Sequence, residues 1–67
     1  MTAPLPTNAE IIAALEYVRA SAHAVANLIV QSRDGVGFVY RGDAREINEL
    51  RRALALAEDL ARKASRT

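Results

Sequence analysis

Asp34-Gly35-Val36-Gly37-Phe38-Val39-Tyr40-Arg41-Gly42-Asp43-Ala44-Arg45-Glu46 is the stretch on which the fold turns. It holds all three glycines, the only phenylalanine and one of the two tyrosines of the chain. Asp34-Gly35 reads as the end of a helix, since Gly35 can take the left-handed conformation that closes one. Asp43 reads as the start of another, with Glu46 placed three residues on for a reciprocal capping box. The connection between them, residues 35–42, is longer than two antiparallel helices need. Val36, Phe38 and Tyr40 alternate in it, which predicts a short extended segment. The rings either cap the open end of a helical bundle or close over a ligand as an aromatic flap.

Upstream of this stretch, Thr7-Asn8-Ala9-Glu10 is a second capping box, and Pro6 stops the helix from extending backwards. Ile11, Leu15, Val18, Ala22, Val25 and Ile29 then recur in steps of four and three, a seam that packs on a neighbouring helix at a shallow angle. Downstream, Ile47, Leu50, Leu54, Ala57, Ala61 and Ala64 repeat the pattern. The expected architecture is all-α and a single domain. It has a tail over residues 1–6, helix one over 7–34, the loop, and helix two over 43–65, the two seams facing each other. Tyr17, Ala24 and Leu28 on the first helix, and Ala53, Leu56 and Leu60 on the second, widen the apolar stripes beyond what one hairpin uses. Ile11, Leu15, Val18, Val25, Leu28, Ile29, Ile47, Leu50, Leu54 and Leu60 are therefore the residues expected in the core or between subunits. Small residues such as Ala14, Ser21, Ala57 and Ala61 let neighbouring helices approach closely. The prediction is a homo-oligomeric bundle, a dimer or larger.

Length points the same way, because a chain of 67 residues buries a small share of its surface and needs a staple. There is no cysteine, so disulfides are excluded, and with His23 the only histidine no structural metal site is expected. Self-association is the staple that remains. A net charge of +1 provides no whole-molecule field for duplex DNA or a membrane surface. The first six residues lack the basic start and apolar run of a signal peptide. No apolar stretch approaches the roughly 20 residues of a membrane span. These readings predict a cytoplasmic protein.

Catalysis needs a nucleophile beside a base, paired carboxylates or a metal. Ser21 and His23 are two apart on a helix and point to different faces. Asp34 and Asp43 read as caps, and Gly35-Val36-Gly37 lacks the remaining glycine and the lysine of phosphate-binding loops. The expectation is a binding protein without catalytic residues or cofactor. Eight arginines against one lysine suit bidentate phosphate or carboxylate recognition, although a GC-rich genome produces the same bias. Glu16, Arg19, His23 and Asn27 form one narrow row, either a solvent strip or one wall of a polar pocket. Arg41, Arg45, Arg51 and Arg52 gather where the second helix begins, and its first-turn amides favour anions. They either contact a ligand or pair with Asp43, Glu46 and Glu49.

Thr7-Asn8-Ala9-Glu10-Ile11 opening a helix, a glycine-bearing loop, and Asp43-Ala44-Arg45 opening another, with Leu54, Leu60 and Arg62-Lys63-Ala64 beyond, resemble the helical-hairpin sponge proteins of bacteriophages. The resemblance spans most of the chain and consists mainly of helix punctuation. It implies a small oligomer that sequesters cyclic di- or trinucleotide immune signals between subunits, uncleaved, in the host cytoplasm. On that resemblance Arg45 takes the place of a phosphate-contacting arginine at the start of the second helix. Arg19 falls one position beyond a basic residue of the first. Ala3 stands where the family carries an aromatic ring, so Phe38 or Tyr40 would have to stack the base. The expected ligand-binding set is Arg19, His23, Phe38, Tyr40, Arg41 and Arg45. Arg41-Gly42-Asp43-Ala44 leading into an amphipathic helix is also similar to the hairpin co-chaperones of type III secretion needles, whose loops are shorter. That second resemblance implies an adaptor or inhibitor docking its apolar face on a protein partner.

Overall fold

Both capping boxes form, and between them they define where the helices start. Glu10 N–H donates to Thr7 Oγ1 at 3.1 Å while Thr7 N–H donates to the Glu10 carboxylate at 3.3 Å. At the second start, Arg45 N–H donates to Asp43 Oδ1 at 2.9 Å and Asp43 N–H to Glu46 Oε1 at 3.0 Å. The computed structural model describes residues 4–65. Along it run α1 (Asn8–Ala26), β1 (Ile29–Gln31), β2 (Phe38–Tyr40) and α2 (Ala44–Ala64). Of the expected tail, residues 1–3 lie outside the described residues.

The first helix is shorter than expected. It ends at Ala26 with Asn27 as its C-cap, not at Asp34, so the fold is mostly helical rather than all-α. Ile29 keeps the heptad spacing but leaves the helix. The reason is the β-branched pair Ile29-Val30, stiff at χ1 in a helix and well suited to a pleated surface. It finds a partner in Phe38-Val39-Tyr40. The two strands pair antiparallel with Ile29 opposite Tyr40, Val30 opposite Val39 and Gln31 opposite Phe38.

Asp34-Gly35 therefore turns a β-ribbon instead of closing a helix. Asp34 Oδ1 accepts from Ser32 Oγ and from Val36 N–H (3.0 Å), and Gly35 N–H donates to Ser32 O at 3.0 Å. Gly35 and Gly37 sit at φ 75° and 89°, where a side chain would be strained. The other glycine serves close approach. A Cβ on Gly42 would run into the Tyr40 hydroxyl and the Glu46 carboxylate.

The helices return antiparallel: Ile11 and Ala14 near the start of α1 share a groove with Leu60 and Ala64 near the end of α2. Their contact line is rotated from the expected one. Ser21 and Ala53 are buried, Ala53 fully, with Ile11, Ala14, Val18 and Val25 facing Glu46, Leu50, Ala57 and Leu60 beside them. Leu28, at the foot of the ribbon, is also half-buried. Leu15 (57% exposed), Ile29, Ile47 and Leu54 (44% exposed) stay largely in solvent within one hairpin. No large side chain among the described residues is fully buried. The molecule is a rod of 58 × 17 × 17 Å with a radius of gyration of 16.1 Å, where a compact domain of this length has about 11 Å.

Candidate functional site

Helical geometry sorts the surface of the rod into two unlike long sides. At about 100° per residue, the apolar repeats of both helices fall to one side of the contact line. On α1 that side carries Leu15 and Ala22, with Ile11 and Val18 between them and α2. On α2 it carries Ile47, Leu54 and Ala61, backed by Leu50, Ala57 and Ala64. Near the helix ends these residues border an apolar groove of about 280 Å³ lined by Ile11, Ala14, Leu15, Ala57, Leu60, Ala61 and Ala64. Among the described residues no charged side chain lies within this stripe, and Arg19, Arg51 and Glu58 stand at its rim. The seams read from the sequence are thus real stripes, whose Ile11, Val18, Val25, Leu50 and Ala57 reach the interhelical contact while Leu15, Ile47, Leu54 and Ala61 lie beside it in solvent.

The opposite side is polar. Tyr17 donates its hydroxyl to Glu49 Oε2 at 2.5 Å, tying α1 to α2. Accepting that bond, Glu49 raises the Tyr17 pKa above its ordinary 10.0, and partial desolvation adds to the effect. Arg52 pairs with Glu49 at 3.4 Å, and Lys63 with Asp59 at 3.1 Å. Between the helices runs a groove of about 270 Å³ lined by Tyr17, Ala20, Ser21, Ala24, Arg45, Glu46 and Glu49. Arg45 thus shares a groove with an aromatic ring, but also with two carboxylates, and it reaches the Asp43 carboxylate at 4.0 Å.

The six expected ligand-binding residues are not gathered by one hairpin. Arg19 and His23 line a separate shallow groove with Ala22 and Ala26, and Arg19 pairs with Glu16 at 3.3 Å. Phe38 stands out at the ribbon tip, 74% exposed, beside the more exposed Val36. Tyr40 is engaged elsewhere. Its hydroxyl bridges to Glu46 Oε1 at 2.7 Å and Asp43 O at 3.0 Å, locking β2 onto the cap of α2. Desolvation of the ring, and then the Glu46 carboxylate, push its pKa up to about 12. Arg41 is exposed, its N–H donating to Leu28 O at 2.7 Å to close the ribbon.

Two features of the contact lie outside what local spacing predicts. Ala53, a flank of the apolar stripe by spacing, is the centre of the contact. Its small size, matched by Ser21 on α1, was the available signal. The Tyr17–Glu49 bridge had none, because a 32-residue separation carries no local spacing. Among the described residues no group of acidic or histidine side chains could hold a metal ion, and no helix is long and apolar enough to cross a membrane. No family model matches the chain, and no curated protein or solved structure shows detectable similarity to it.

Proposed function

We propose that this chain is a non-enzymatic interaction module, a helical hairpin that acts by docking its charge-free long side on another helical chain. The observation that carries the reading is the placement of Leu15, Leu54 and Ala61. All three are exposed in the hairpin, and helical geometry puts all of them on one apolar stripe with charged residues only at its rim. Contiguous exposed apolar surface of this kind marks interaction sites. The arrangement has the geometry of half a helical bundle.

Because the chain has no cysteine, a single thiol introduced there reports on one position. Ala61→Cys, labelled with a maleimide in the cells that express it, should react far more slowly than the denatured protein. Ala55→Cys, also exposed but on the outer face of α2, should label freely. Equal, fast labelling at both positions sinks the interaction reading.

Sequestration of a cyclic di- or trinucleotide between subunits is a second reading, and Tyr17 and Arg45 sharing one groove favours it. Arg19 lies outside that groove, so Arg19 and Arg45 could grip one ligand only across two copies. Calorimetric titration of the wild type and of Arg45→Ala decides it. Loss of the arginine should weaken binding by about 1.5–3 kcal/mol, the range for hydrogen bonds to charged groups. Absence of heat with the wild type ends that reading and leaves the docking module untouched.

A further inference from the structure

We propose that the charge-free side is covered by a second copy of this chain, forming a two-fold dimer of four packed helices. This rests on the interaction reading above and names the partner. Area is the first ground. The hairpin leaves 5563 Å² exposed, whereas a compact monomer of 7.3 kDa exposes about 4,200 Å². The difference exceeds the roughly 800 Å² that each partner contributes to a standard interface. A two-fold dimer of standard size on this side would remove more than half of the excess without any change of fold.

Self-complementarity is the second ground. A two-fold contact sets a patch against itself, so a charge within it would meet its own kind. Among the described residues the stripe of Leu15, Leu54 and Ala61 carries none, its flanking charges Arg19, Arg51 and Glu58 standing at the rim. The ion pairs Glu49–Arg52 and Asp59–Lys63 lie away from it, and Arg19, at the rim beside Ala22, is paired with Glu16. A net charge of +1 leaves two copies little to repel one another with. Shape agrees as well. Ala57, Ala61 and Ala64 line the apolar groove together with Leu15, and their small side chains leave room there for a large one from a second copy.

Sedimentation equilibrium of the full chain at micromolar concentration should return twice 7.3 kDa. Ala61→Asp should return the monomer, while Ala55→Asp should stay dimeric. A folded wild-type monomer overturns the second-copy assignment. Docking on a different partner is then judged separately, by the thiol protection measured in cells. A dimer that survives Ala61→Asp places the interface elsewhere and also overturns the proposal. Should the aspartate variant fail to fold, Leu15→Ser replaces it, since Leu15 is largely exposed within the hairpin. It should raise the dissociation constant by about tenfold or more, as losing a buried leucine does, with helicity retained. An unchanged constant places the interface elsewhere and overturns the proposal.

Discussion

At the scale of single residues, the junction between ribbon and second helix depends on three neighbours that fit only together. Gly42 is bare because the Tyr40 ring and the Glu46 carboxylate occupy the space a Cβ would take. Glu46 Oε1 accepts from both the Asp43 amide and the Tyr40 hydroxyl, so the cap of α2 is also the clamp on β2. A phenol donating to a carboxylate resists ionisation, and the consequence has a definite sign. Tyr40 holds its proton up to about 12, above the ordinary 10.0. Its contribution to stability is therefore complete below pH 10.0 and is lost as pH rises from there through about 12. Tyrosinate absorbance on raising the pH should show no ring ionising at the ordinary value, since Tyr17 is shifted upward too. In Tyr40→Phe the later of the two steps should vanish. If both rings of the wild type ionise together at 10.0, the clamp is not formed in solution.

Among the elements, the ribbon is the one whose connection mattered most and was hardest to place. Asp34 holds its turn by accepting from Ser32 and then from Val36, and these bonds keep its carboxyl below the usual 3.8. That contribution is present above pH 3.8 and is lost as pH falls below it. Asp34→Ala should speed amide exchange at Gly35 and Val36 while leaving the amides of α1 and α2 protected. Equal loosening of the helices would show that ribbon and hairpin fold as one unit. Both helix starts were legible in the sequence because capping is local: Thr7 and Glu10, or Asp43 and Glu46, are three residues apart. Alternation at Val36, Phe38 and Tyr40 likewise announced β2. β1 stayed hidden because Ile29 satisfies the helical repeat as well as it satisfies a strand. Only pairing with Tyr40, eleven residues on, decides between them. Each seam is split: Ile11, Val18, Val25, Leu50 and Ala57 meet the neighbouring helix as the spacing predicts, whereas Leu15, Ile47, Leu54 and Ala61 do not. Periodicity says which side of a helix is apolar, and not whether that side meets the helix next to it or one from another chain. The same limit hid the separation of Arg19 from Arg45, which is set by how the two helices are rotated about each other.

For the whole molecule, the missing core is what a partner must supply. Ala53 is the one fully buried apolar residue among those described, and a rod 17 Å thick has no room for a second layer of its own. A chain of this length ordinarily buries about 60% of the surface it exposes when unfolded, and this hairpin falls short of that. If a second copy makes up the difference, folding and association are one equilibrium, and the stability of the pair depends on concentration. A hundredfold increase in protein adds about 2.7 kcal/mol to the free energy of taking the dimer apart into unfolded chains. Spread over the unfolding entropy of two such chains, this amounts to about 10 °C in Tm. Melting curves followed by circular dichroism should therefore move upward by about that much across a hundredfold range of wild-type concentration. The midpoint should stop moving in Ala61→Asp, which would have only its own hairpin to unfold. A wild-type midpoint indifferent to concentration would mean that Ser21, Ala53 and the half-buried residues around them hold the hairpin on their own. The charge-free side would then be free for a different helix.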